Sequence, residues 1–334
     1  MNFYCTLFNI KYFSRGLAMC QSLLEQDRQA YIYILAIDEL TAKMLNYYKL
    51  KNTQIIVLND FEDQDLLRIK SSRSLGEYCW TITPSLILFC LKKYNLAQVC
   101  YIDADLYFYQ NPAVLIEEAK NNSILLSPHR YSKKYDQSKT SGIYCVQFMN
   151  FLNDSKGIEA LVWWRNACIE WCYNRIEPNR FGDQKYLDDW PMRFDSVHVL
   201  EHLGGGVAPW NVQQYDFVNL EPNDFKMKNN QSGVFELIFY HFHGVKFYSN
   251  HQIDFGGYDL KPSIKSKIYI PYVSKILKID YQLIKEKWID NKTYLNDISD
   301  QYELSFKKML QDLIKKFNKT YNKISAKQWI KEFG

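Results

Sequence analysis

Residues 97–112 read AQVCYIDADLYFYQNP. The stretch VCYI has the apolar and aromatic make-up of a buried strand, and the NP pair ends the run in a turn. Inside it stand two carboxylates, Asp103 and Asp105, with Ala104 between them. If the strand continues, alternation turns both acids to one side and Ile102 and Ala104 to the other. Two ionised carboxylates about 4 Å apart repel by about 4 kcal/mol at an effective dielectric of about 20. The pair therefore asks for a cation or a proton. Mn2+ or Mg2+ suits oxygen ligands and leaves coordination positions open for phosphate oxygens. The carboxyl end of a parallel strand is also where α/β folds present their ligands.

The flanking chain supports such a sheet. NFYCTLFN at the N-terminus, AYIYILAID and TQIIVLND read as strands, while KYFSRGLAMCQSLLEQ and ELTAKMLNYYKL between them have helical spacing. Strand and helix alternating at short intervals, with nearly continuous apolar strands, predict an α/β protein with a mostly parallel Rossmann-like sheet flanked by helices. Residues 74–95 read as helical with Pro84 in a first turn. The acidic pair then sits at the exit of about the fifth strand. NSILLSPHR and IYCVQFMN follow as strands, GIEALVWWRNACIEWCYNR as a helix, then VHVL, the glycine cluster LGGGVAPWN and the apolar run GVFELIFYHFHGVKF. No linker interrupts this body. A boundary near residue 258 separates it from a Lys-rich, mainly helical C-terminal extension, 259–334, whose segments KIYIPYVSKILKIDYQLIKEKW and YELSFKKMLQDLIKKFNK read as peripheral amphipathic helices.

A chain of 334 residues with 47% hydrophobic and 16% aromatic content is a folded globular protein, not a fibre or a repeat array. The net charge of +4 is unevenly held: residues 261–334 carry 16 lysines against 8 acids, which leaves the first 260 residues at −4. An acidic body without an organised Arg/Lys motif makes nucleic acid a poor partner. The basic extension instead suits peripheral contact with an anionic membrane. The opening MNFYCTLFNIKYFSRG lacks the basic leader and apolar core of a secretory signal, so the cytoplasm, with attachment to the inner face of the membrane, is the expected location. Eight cysteines lie mostly in apolar segments and read as small core hydrophobes.

A second polar island joins the acidic pair. In HFHGVK, His241 and His243 share a face if the strand continues, Gly244 permits an abrupt turn, and Lys246 follows. One imidazole would complete a metal sphere and the lysine would meet a diphosphate as a point charge. The combination resembles the GT-A glycosyltransferases, and within them the family 8-like branch and bacterial transferases of surface polysaccharides, lipopolysaccharide included. The likeness runs from TLFN to HFHGVK, about three quarters of the chain. It implies a GT-A fold. It assigns Thr6, Leu7 and Asn9 to a nucleotide pocket with Tyr12 stacking on the base, Asp103, Ala104 and Asp105 to the DXD motif, and His241 and Gly244 to the HXXG pattern. Lys246 lies two residues after that glycine where the family pattern has three. TSGIYCVQF and FGDQKYLDDW resemble the segments beside the donor sugar, making Ser141 and Gly142 substrate contacts and placing Asp183 and Gln184 at the reaction centre. Arg73, with Glu77, is a candidate for the donor pocket, and Trp210 and Asn211 of the glycine cluster for the acceptor.

The resemblance implies transfer of a hexose from a nucleotide diphosphate sugar, UDP-linked by expectation, to a hydroxyl of a glycan or lipid-linked glycan, with retention. Asp103, Asp105 and His241 would ligate Mn2+ or Mg2+. Two readings compete: a sugar nucleotidyltransferase, which would consume a nucleoside triphosphate and release pyrophosphate, and a carbohydrate-binding protein without turnover. The glycines form neither GXGXXG nor a Walker A loop. Oligomeric state and the identity of the sugars are not written in these motifs.

Overall fold

A computed structural model describes residues 1–229, 233–248 and 252–290, together with the backbone of 323–325. The alternation read at the N-terminus is present: β1 (Asn2–Phe8), α1 (Phe13–Gln26), β2 (Ala30–Ala36), α2 (Glu39–Tyr48) and β3 (Thr53–Val57). The three strands pair in parallel, Asn2 opposite Ala30 and Ile32 opposite Thr53. Asp38 caps α2 through the Thr41 N–H, satisfying a donor that the first turn would leave unpaired. After the short α3 (Leu58–Phe61) and α4 (Gln64–Lys70) comes α5 (Leu75–Lys93).

Helix α5 corrects the expectation for Pro84, which lies in its interior and not in a first turn. The helix starts earlier because Ser74 and Glu77 form a reciprocal capping box. Proline removes one internal hydrogen bond, and the burial of Ile82, Leu86, Ile87 and Cys90 around it offsets that loss.

β4 (Gln98–Ile102) runs parallel to β1, followed by β5 (Leu106–Phe108), α6 (Ala113–Glu118), β6 (Ile124–Pro128), β7 (Tyr144–Leu152), α7 (Ser155–Glu170), α8 (Trp190–Arg193) and β8 (Val197–Val199). The resulting sheet has seven strands in the order β3-β2-β1-β4-β7-β6-β8. Only β7 runs against its neighbours. β4 is therefore the fourth strand in sequence and the centre of the sheet. It stops at Ile102, so Asp103 and Asp105 occupy the turn between β4 and β5 and not the strand expected to carry them.

The remaining strands are β9 (Gly205–Val207), β10 (Asp216–Phe217), β11 (Lys226–Asn229), β12 (Gly233–Glu236), β13 (Phe239–His241), β14 (Lys246–Phe247), β15 (Gln252–Asp254) and β16 (Lys323–Ser325). β13 lies between β5 and β9. This pairing brings His241 opposite Leu106, one residue beyond Asp105.

Each face of the large sheet builds its own core. Helices α5 and α7 cover one face with Ile82, Leu86, Leu161 and Trp164. Helix α1 covers the other with Leu17, Cys20 and Leu23. On this second side the chain continues through α9 (Pro262–Ile264), a π-helical turn (Lys265–Tyr269) and α10 (Ile270–Lys285). This part of the extension does not lie apart: Ile268, Tyr272, Val273, Ile276 and Leu283 are buried in the same core as β1 and α1. The Ser14 hydroxyl donates to Asp280 across the contact. Lys278, Tyr281 and Lys285 face outward. The second segment read as amphipathic, 302–319, lies outside the described residues. All eight cysteines are free and seven are buried. Among the described residues no helix is long and apolar enough to cross a membrane.

Candidate functional site

The turn after β4 opens into a cleft of about 690 Å³. Its floor is assembled by backbone pairing. The Asp103 N–H donates to the Gln147 carbonyl of β7 at 3.0 Å, and the Phe242 N–H of the segment after β13 donates to the Asp105 carbonyl at 2.9 Å. Three chain segments distant in sequence are thereby fixed around the two acids. His241 Nε2 lies 3.0 Å from Asp105 Oδ1 and 3.9 Å from Asp103 Oδ2. Tyr101 donates its hydroxyl to Asp103 Oδ1 at 3.0 Å, and His241 Nδ1 lies 2.9 Å from Gln147 Oε1. Gly244, with φ of +79°, turns the chain away directly after the histidines, a conformation that glycine adopts without penalty.

The charges of this group are in conflict. Burial pushes the Asp103 carboxyl up to about 7, against the pull of His241, and the Asp105 charge adds to the push. Burial also opposes ionisation of Asp105, but the charge and hydrogen bond of His241 outweigh it and hold Asp105 at about 2. Burial alone would lower His241, yet the two aspartates carry it above its ordinary value. Without a cation a proton holds the group together.

The same atoms fit a divalent ion. One ligand atom from each of Asp103, Asp105 and His241 can be chosen so that all lie within 4.8 Å of one another. Around an octahedral ion with bonds of about 2.1 Å, neighbouring ligands stand about 3 Å apart and opposite ones about 4 Å. The donor set, two carboxylates and one imidazole, suits Mg2+ or Mn2+.

The cleft wall also carries Leu7, Asn9, Tyr12, Ala104, Ser141, Asp183, Gln184 and Trp210. Asn9 accepts from the Tyr12 N–H and starts the short turn that presents Tyr12. The Arg15 guanidinium lies over the Tyr12 ring at 4.7 Å. The two loops named as sugar contacts meet: Gln184 donates its amide to the Ser141 carbonyl at 2.7 Å, and the Ile143 N–H donates to Asp188 at 2.7 Å. Burial, then the charge of Asp103, push Asp183 well above the usual carboxylate range.

Five of the expected contacts lie off the cleft wall. Thr6 is wholly buried in β1. Arg73 is buried behind the lining residues, donating to the Ile169 carbonyl with its guanidinium 3.9 Å over the Tyr173 ring. Asn211 is wholly buried and uses its amide inside the fold, on the carbonyls of His129 and Gly206 and the N–H of Ala208. Gly142 sits behind Ser141, where an added Cβ would meet Asp188, and Lys246 is an exposed residue of β14. Trp210 is 4% exposed; its ring is hemmed by His129, His241 and His243, with centroids 5.2, 5.3 and 5.5 Å away. It buttresses the histidines more than it offers a free face. His129, Tyr131, Tyr258 and the α5 residues Cys79, Trp80 and Thr83 also line the cleft. Of these, His129 carries a sequence signal, as the polar end of the apolar run NSILLSPHR.

No family model matches the chain. The uncharacterized protein YfnF of Bacillus subtilis (strain 168) is 31% identical over 258 residues, covering 75% of this chain and 84% of that one. The chain belongs to the YfnF family. YfnD of the same organism, also described as uncharacterized, is 28% identical over 294 residues, covering 86% of this chain and 89% of its own. Among solved structures, that of the galactosyltransferase LgtC in complex with donor and acceptor sugar analogs matches with a TM-score of 0.54 and 11% identity, over 83% of this chain and 95% of that one. At that identity the likeness is one of fold, and it makes this YfnF-family chain a GT-A fold.

Proposed function

We propose that the chain is a metal-dependent glycosyltransferase that moves a hexose from a nucleotide diphosphate sugar, a UDP-sugar, to a hydroxyl of a glycan or lipid-linked glycan, with retention. The observation that carries the reading is the convergence of Asp103, Asp105 and His241 on the floor of the cleft. In this reading those three side chains hold Mn2+ or Mg2+. A divalent ion there supplies positive charge against a diphosphate whose bond to the sugar is breaking.

The chain's own residues do the rest. Leu7, Asn9 and Tyr12, at the end of β1, receive the nucleotide, with Tyr12 against the base. Asp183 orients the donor's hydroxyls. The Gln184 amide nitrogen is tied to the Ser141 carbonyl, so its carbonyl end serves the positive charge that develops at the anomeric carbon. Ser141 contributes to the sugar side. Lys246, Arg73, Thr6, Gly142 and Asn211 stand outside the cleft lining, and this reading assigns them no step. Residues 1–258 supply all these groups, and 259–334 form the basic extension, whose lysines attract the protein to an anionic cytoplasmic membrane face carrying the acceptor.

A screen of nucleotide sugars and acceptors with Mn2+ and Mg2+ tests the reading by product analysis. Release of a nucleoside diphosphate with an extended acceptor supports it; pyrophosphate release from a nucleoside triphosphate, or sugar binding without turnover, overturns it. NMR of the new linkage decides retention. Flotation with anionic vesicles, before and after removal of residues 291–334, tests the membrane contact, and unchanged flotation counts against it.

A further inference from the structure

Gln147 is a wholly buried polar residue in β7, whose sequence YCVQFMNFL is apolar and aromatic apart from Gln147 and Asn150. It touches two members of the acid–histidine group in different ways. Its backbone carbonyl accepts the Asp103 N–H at 3.0 Å, and its side-chain Oε1 lies 2.9 Å from His241 Nδ1. An amide carbonyl can only accept, so it keeps a proton on Nδ1 and leaves Nε2 as the atom turned to the aspartates. Among the described residues, the other end of the amide, Nε2, is buried with no hydrogen-bond partner. A buried donor left unpaired is a net cost to folding, so the amide is not explained by stability. Gly206 makes the space for it: with φ of +123°, a Cβ there would stand 3.2 Å from Gln147 Nε2.

We propose that Gln147 is a positioning residue that sets the tautomer and the angle of His241, and so tunes the affinity of the Asp103–Asp105–His241 group for a divalent cation. This rests on the metal reading given above. The partner of a ligating imidazole's second nitrogen governs metal affinity by about ten- to a hundred-fold. A glutamine does so without adding charge, where a carboxylate would raise the ligand's basicity further.

The test is Mn2+ binding to the full chain without sugar donor, followed by paramagnetic resonance of the free ion, with urea unfolding on the same samples. Asp105→Ala should lose binding. Gln147→Met should weaken it by about ten-fold or more with an unfolding midpoint equal to or above that of the unaltered protein, and Gln147→Glu should bind at least as tightly as glutamine. A folded Gln147→Met that binds within about three-fold of the unaltered protein overturns the proposal while the metal reading survives. Equal, weak binding by the unaltered protein and Asp105→Ala overturns both. Should Gln147→Met not fold, Gln147→Asn, which keeps the amide but withdraws its carbonyl by one methylene, is judged by the same thresholds.

Discussion

Two of the places where this molecule shields carboxylates from water, Asp27 and the Asp103–Asp105 pair, are built on opposite logic. Asp27, 1% exposed at the end of α1, faces only neutral donors: Asn2 Nδ2 at 2.7 Å, the Tyr4 hydroxyl at 3.1 Å and the Gln29 N–H at 2.9 Å. Its charge is satisfied where it stands. Asp103 and Asp105 face each other and share one histidine, with Asp183 buried near enough for the charge of Asp103 to be felt. A satisfied buried acid staples a fold; a dissatisfied group of them is a seat for something positive.

The largest effect that would sharpen this contrast is in Asp103→Ala or Asp105→Ala. Each should lower sugar transfer by about a thousand-fold or more, measured as nucleoside diphosphate release, while urea unfolding without metal should separate them. Asp103→Ala should be equal to or more stable than the unaltered protein, because a carboxyl whose charge is opposed by burial and by Asp105 is gone. Asp105→Ala should be less stable, because His241 loses its ion-pair partner. Near-normal turnover in both folded variants would break the comparison. Asp183→Asn should lower turnover by about a hundred-fold and alter the pH profile of stability. Asp183 is raised in the fold, so the folded state binds more protons than the unfolded one, and its contribution to stability falls as pH rises from about 4 until the buried carboxyl ionises. Unfolding in metal-free buffer should show that decline to be absent from Asp183→Asn.

Asp27→Ala should do the reverse. It leaves three donors unpaired and should cost about 2 kcal/mol of stability, read from urea unfolding, with the turnover of the folded fraction unchanged. The smallest effect is expected at Glu77, where the N–H of Asn174 lowers the carboxyl most, burial opposes it, and the hydrogen bonds with Ser74 add to the lowering. Glu77→Gln should cost about 0.5 kcal/mol, since the pair is open to solvent. A lowered carboxyl stabilises above its unfolded value of about 4.3 and loses that contribution as pH falls through the folded one, so the difference between the two proteins should vanish in acid.

Much of this was legible in the chain. Alternating strands and helices gave the parallel half of the sheet, and DAD with HFHG brought three side chains together that lie 136 or more residues apart in sequence for the histidine and either acid. What escaped depends on pairing across the fold. That β4 ends at Ile102 follows from β5 leaving to join β13, which local alternation cannot report. Asn211 and Arg73 look like ligand groups until their backbone partners are seen. Gln147 did carry a signal, one of two amides in an otherwise apolar strand, but its meaning required knowing that His241 lies beside it. The wall formed by His129, Tyr131 and Tyr258 comes from two loops far apart in sequence and has no motif.

Phe242, between the two histidines, lies face to face with Tyr272 of α10, ring centroids 3.6 Å apart and planes 7° from parallel. The basic extension thus begins as a brace beneath the imidazoles. Trimming the protein back to residue 258 would unseat His241 along with the lysines, so a shortened form meant to probe surface attachment should keep the chain through residue 290.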